Sequence, residues 1–105
     1  MDAHERQQLM FMQLVMMFHT ITMHQLGKIK NPVTDKVERD LVAAQSSIDM
    51  LDMLKEKTKG NLNAEEERFL TNLLKELKLN YVDEAAKPAE HTTTPEPPKA
   101  GEGPQ

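Results

Sequence analysis

The stretch "LMFMQLVMMFHTITMHQLG", Leu9 to Gly27, holds five of the chain's eight methionines, two phenylalanines and no charged residue. Placed on a helical wheel at 100° per residue, Arg6, Gln13, Thr20 and His24 fall within about 40° of one another. Leu9, Met10, Phe11, Met12, Leu14, Val15, Met16, Met17, Phe18, Ile21, Met23 and Leu26 cover nearly all of the remaining circumference. A surface helix ordinarily presents one apolar stripe a little over 100° wide, and this one is wider by about a factor of two. The spacing predicts a helix from about Ala3 to Leu26 with more apolar surface than one neighbour can cover. Gly27 ends it, because glycine can take the left-handed conformation that satisfies dangling carbonyls.

Downstream the helix boundaries are written in turn and cap residues. "KIKNPVT" is a connection, since the residue before Pro32 avoids the helical region. A second helix is expected from near Asp35, whose side chain can cap free amides while Glu38 reaches back. Val37, Leu41, Ala44, Ile48 and Leu51 would form its seam. It ends in "KTKGN", where Lys55, Lys57 and Lys59 suit the negative end of the helix dipole and Gly60 supplies the turn, followed by Asn61. The third helix opens at "NAEE", with Asn63 as cap and Glu66 as its reciprocal partner. Leu70, Leu74, Leu77 and Tyr81 make its seam, widened by Phe69 and Leu73. The connection of about five residues makes the second and third helices an antiparallel hairpin. The expected fold is all-α: a long N-terminal helix plus an antiparallel helical hairpin, forming a three-helix domain over residues 1–82.

From Asp83 the composition changes. Residues 83–105 carry five acidic and two basic residues, five of the six prolines, and no aromatic or branched aliphatic side chain. Such a segment cannot bury enough apolar surface to offset its chain entropy, so it is read as a disordered, acidic, Pro-rich tail. The whole chain has 105 residues, 29% of them charged, and a formal charge of -4. That balance argues against nucleic acid as a partner. The absence of cysteine excludes disulfides and thiolate chemistry. Asp2, Glu5 and Arg6 give a negative start where a secretory signal needs a positive one, and cytoplasmic localisation is the expectation.

The surplus apolar surface of the first helix directs the functional reading. Four large side chains left exposed would forgo about 6–12 kcal/mol of burial, comparable to a small domain's entire stability. A homo-oligomer is therefore expected, with Met12, Val15, Met16, His19 and Met23 at the interface. The protein reads as self-associating, structural or scaffolding. The alternative is an adaptor or chaperone-like module whose adaptable methionine face takes an amphipathic helix of a protein partner. Gln13, Thr20, His24 and Gln25 argue against a membrane span, and a polar face with Arg6 as its single cation argues against membrane-surface binding. Met12, Met16, His19 and Met23 offer thioethers and an imidazole of the kind that suits Cu(I), but methionines at helical spacing ordinarily pack. Asp49 and Asp52 lack a third acidic ligand. No metal, no cofactor and no catalytic constellation is expected.

The loops carry a resemblance. "LGKIKNP" (Leu26 to Pro32), "SSIDMLDML" (Ser46 to Leu54), "KTKGNL" (Lys57 to Leu62) and Tyr81-Val82, in this order and spacing, resemble the bacterial family of domain of unknown function 1844 over about residues 8 to 84. The resemblance implies a small helical protein without an assigned activity, and it transfers no catalytic or cofactor residue. It draws attention to Asn31, Pro32, Asp49, Lys57, Thr58, Gly60 and Asn61. Two departures stand out: Asp35 occupies a position where glycine is expected, and Phe18, Thr20 and Ile21 are bulkier than the family pattern.

Overall fold

A computed structural model describes residues 1–88. It contains three helices: α1, Ala3–Gln25; α2, Leu41–Lys57; and α3, Ala64–Ala85. No strand forms among the described residues; two isolated antiparallel bridges, Leu26 with Arg39 and Asn31 with Lys36, mark the first connection. The all-α, three-helix fold is as the sequence implies. The expected tail lies outside the described residues from 89 onward, whereas Asp83, Glu84 and Ala85 continue α3 for three residues beyond the boundary expected at Val82.

Each helix starts on a side chain that satisfies its free amides. Asp2 and Glu5 form a reciprocal capping box on α1, and Asn63 and Glu66 do so on α3, as "NAEE" implies. The start of α2 is a correction. Asp35 is not its cap; Asp40 is, accepting from the Ala43 amide at 3.0 Å. The reason lies in the connection, which folds back on itself before the helix begins. Asn31 accepts the Val33 amide on its side chain at 2.8 Å and pairs by backbone with Lys36. Asp35 closes this turn at φ +58°. Lys36 and Arg39 are each held in an isolated bridge, to Asn31 and Leu26, and the helix starts only at Leu41. Val37, expected in the α2 seam, lies outside the helix and is exposed.

Gly27 serves two demands at once. Its φ is +78°, and a Cβ there would lie 3.2 Å from the Arg39 Cβ. The positive φ of the reversal after α1 favours glycine, and the close passage of Arg39 leaves little room for a Cβ. Between α2 and α3, Gly60 has φ +88° and the Asn61 amide donates to the Thr58 carbonyl at 2.8 Å.

The three helices share one core. Val15 from α1, Ile48 and Leu51 from α2, and Leu70, Leu73, Leu74 and Leu77 from α3 are buried together. Phe11, Phe18, Met23, Leu54, Leu62, Phe69 and Tyr81 pack around them. Two polar ties fix α1 at its ends. Gln25 accepts the Ser47 hydroxyl at 2.7 Å, and Gln8 accepts from the Asn63 amide side chain at 2.7 Å while donating to Glu65.

Candidate functional site

The bundle divides α1 into two halves along its length. Val15, Thr22 and the capping Leu26 are wholly buried on the inner half. Met10, Leu14, Met17 and Ile21 follow one another at steps of four, three and four on the outer half, between 42% and 61% exposed. On the wheel these four lie within about 60°. Gln13 and Thr20 run beside them, and Leu9 and Met16, also exposed, lie beyond those two. A shallow depression of about 590 Å³, lined by Gln13, Met16, Met17, Thr20 and Ile21, opens on this face. Six large apolar side chains on one helix thus meet solvent, a density that marks interaction surfaces more often than ordinary exterior.

This face is displaced from the one expected. Of Met12, Val15, Met16, His19 and Met23, Met16 alone is exposed. Val15 belongs to the chain's own core, and Met23 packs against that core. Met12 is half-buried, and His19 places Nε2 3.6 Å from Glu76 Oε1 on α3. The four residues weighed for Cu(I) therefore sit mostly on the inner half. The surplus of apolar surface is where the sequence put it, on α1, but on the opposite side. Two seams with the same four–three–four spacing run along the helix, one through Met12, Met16, His19 and Met23, the other through Met10, Leu14, Met17 and Ile21. Packing against the α2–α3 pair, and not spacing, decides which of them is covered.

The predicted loop and cap residues are placed where the fold turns. Gly27, Gly60 and Asn63 act as described, Asn31 organises the first turn, and Pro32 sits exposed within it. Asp52 is held by Lys78 at 3.0 Å and Asp49 by Gln45 at 2.9 Å, each on its own. Among the described residues no three of His, Asp and Glu converge as a metal-binding group. No helix among them is long and apolar enough to cross a membrane.

Among the described residues, one dense charged cluster joins the first connection to the end of α3. Glu84 is buried and takes Lys28 and Lys87 at 2.9 Å and Arg39 at 3.2 Å. Arg39, also buried, donates to the Glu84 and Pro88 carbonyls at 2.8 and 3.0 Å. Its Nε has no partner among the described residues. Burial alone would raise the Glu84 carboxyl, but the hydrogen bonds from Lys28, Lys87 and Arg39 outweigh it and hold the group down at about 2. The same contacts, Glu84 foremost, raise Lys28 and Lys87, and Lys28 first of all lowers Asp83. Apart from Arg39 Nε, the buried charges of this cluster are met by its own members, and the cluster fastens the fold. Among the described residues nothing gives the apolar outer face of α1 such cover, and it is the candidate functional surface.

Neither the curated proteins nor the solved structures contain a match to the chain. The model of the family described as "Domain of unknown function (DUF1844)" matches residues 8–83, a span running from the first turns of α1 almost to the end of α3, and the chain belongs to this family.

Proposed function

We propose that this domain is a non-catalytic, self-associating structural module, and that its contact surface is the outer face of α1. The observation that carries this reading is the row Met10, Leu14, Met17 and Ile21, left about half exposed after the chain has completed its own core. A second copy supplies the same row, so each protomer covers what the other exposes. With about half of 1.5–3 kcal/mol remaining to gain per side chain, the eight residues of two rows contribute about 6–12 kcal/mol before association costs. Association costs offset at least about 4 kcal/mol of this, so about 8 kcal/mol is the upper limit and dimer is expected at micromolar concentrations or above, not below.

Sedimentation equilibrium of the full chain across about 0.1–100 μM tests this directly. A mass that rises toward a dimer with concentration supports the reading, and the double variant Met10→Asp with Met17→Asp then stays monomeric with unchanged helix content. A wild-type chain that remains monomeric across that range overturns it.

A further inference from the structure

We propose that the outer side of α1 is a site of reversible oxidation, where Met10, Met16 and Met17 accept an oxygen atom from a peroxide and turn an apolar surface polar while the fold stays intact. The chain has eight methionines and no cysteine, so thioethers are its only sulfur groups and no thiol competes for the oxidant. A thioether carries no acidic proton. Its reactivity is therefore not set by a pKa, as a thiol's is, and access to solvent decides which sulfur reacts. Met10 and Met17 are 55% and 61% exposed, and Met16 is 42% exposed. Met12 and Met23, on the same helix, are half-buried, and Met23 packs against the core. One helix thus carries both open and covered thioethers.

The step balances with hydrogen peroxide as the oxidant. The sulfur lone pair attacks one peroxide oxygen, an S–O bond forms and the O–O bond breaks. The departing hydroxide takes the proton left on the transferred oxygen and becomes water. Sulfur loses two electrons and the peroxide gains them. The return step uses a dithiol, acting through a methionine sulfoxide reductase: the sulfoxide oxygen leaves as water while the dithiol closes to a disulfide. This chain supplies the substrate side chains for both steps.

The surroundings suit the oxidised form. Gln13 and Thr20 line the depression beside the row together with Met16 and Met17. Each of these methionines stands three or four residues from both, the spacing at which side chains on a helix meet. A sulfoxide oxygen at either position has an amide or hydroxyl donor as a neighbour and water on its open side. Within the row, Leu14 and Ile21 stay apolar, but they are about 10 Å apart along the helix, with the altered Met17 between them. The effect on association rests on the self-association proposed above; the modification itself does not.

The test treats the full-length chain, at submicromolar concentration, with hydrogen peroxide and follows each methionine by fragment-ion mass spectrometry. Met10, Met16 and Met17 are expected to oxidise at least about tenfold faster than Met12 and Met23. Met50 and Met53, 50% and 52% exposed on α2, serve as open references. In urea the difference disappears. The chain oxidised at its exposed positions keeps its helix content and urea midpoint, and a methionine sulfoxide reductase with dithiothreitol restores its mass. Equal rates along α1 in the folded chain overturn the proposal. So does loss of helix content on oxidation of the exposed set, or sulfoxides that the reductase leaves in place. Sedimentation separates this proposal from self-association. Where the chain dimerises, oxidation raises the concentration needed by at least about tenfold and leaves the triple variant Met10→Leu, Met16→Leu and Met17→Leu unaffected. A dimer indifferent to oxidation overturns the effect on association. A chain that is monomeric throughout removes self-association and that effect with it, while the oxidation rates still decide the modification.

Discussion

Arg39 Nη1 lies 3.2 Å from the Glu84 carboxylate and 2.8 Å from the Glu84 carbonyl oxygen, and both side chains are buried although neither is in the apolar core. The pair ties the strand-like end of the first connection to the last turn of α3. Removing one charge strands the other. Glu84→Gln is expected to destabilise the domain by about 2–4 kcal/mol, because Arg39 loses its counter-charge while remaining out of water. Asp83→Asn, one residue earlier but solvent-exposed, leaves the urea midpoint unchanged. Chain truncation reads the same contact: deletion from Asp83 onward lowers the midpoint as Glu84→Gln does, and deletion from Ala89 onward does not.

Acid dependence follows from the same carboxylate. Glu84 is held at about 2 in the folded chain against an ordinary value of 4.5. A group depressed in the folded state binds fewer protons there than when unfolded, so its stabilisation is complete above about pH 5. It is lost as pH falls from 4.5 toward 2. Lys28, raised in the fold by Glu84 and Asp83, acts at the other limit, with its contribution fading as pH climbs past 10.5. Urea unfolding at intervals from pH 2 to 7 is expected to show a steep acid limb in the wild type. Glu84→Gln starts lower and declines less.

Asp35 carries a local backbone strain. It stands where the family pattern leads one to expect glycine, and its φ of +58° lies in the left-handed region. Aspartate tolerates this better than most residues, but still at a cost of about 1 kcal/mol. Glycine relieves that cost and loses part of the gain through greater freedom when unfolded. Asp35→Gly is expected to stabilise by about 0.5 kcal/mol, and Asp35→Val to destabilise by at least about 1 kcal/mol. If the two substitutions moved the thermal midpoint equally, backbone strain would not be the cause.

The caps and breakers were the legible part of this fold. Gly27 and the pair Asn63–Glu66 announce helix ends through chemistry confined to a few neighbouring residues, so local reading places them. The start of α2 is not local. Asp35 and Asp40 are both competent caps, and the choice between them depends on Arg39 pairing with Leu26 thirteen residues earlier. Glu84 was hidden differently: its sequence surroundings are those of a solvated tail, and only the cations brought to it by Lys28, Arg39 and Lys87 make it structural. The inner and outer seams of α1 have matching spacing, and the outer one is if anything the more apolar. Periodicity therefore established that the helix has too much apolar surface, and it could not say which seam faces solvent.

Val15 and Met17 turn that ambiguity into an experiment. They are two residues apart on α1, yet Val15 is 0% exposed within the core and Met17 is 61% exposed on the outer face. An aspartate at 15 would put an unpaired charge among Ile48, Leu51 and the α3 leucines, at a cost of several kcal/mol that a domain of this size does not have in reserve. Val15→Asp is expected to abolish cooperative unfolding and most helical circular dichroism at any concentration. Val15→Ala, which removes two methyl-sized groups and leaves a small cavity, costs about 2 kcal/mol and preserves the fold. Met17→Asp meets water, so the dilute monomer keeps its helix content, with a thermal midpoint shifted by no more than about 2 °C. Its effect is confined to sedimentation, where the concentration needed for dimer rises at least tenfold. Loss of the folded monomer in Met17→Asp would place that side chain in the core and reverse the assignment of the two faces.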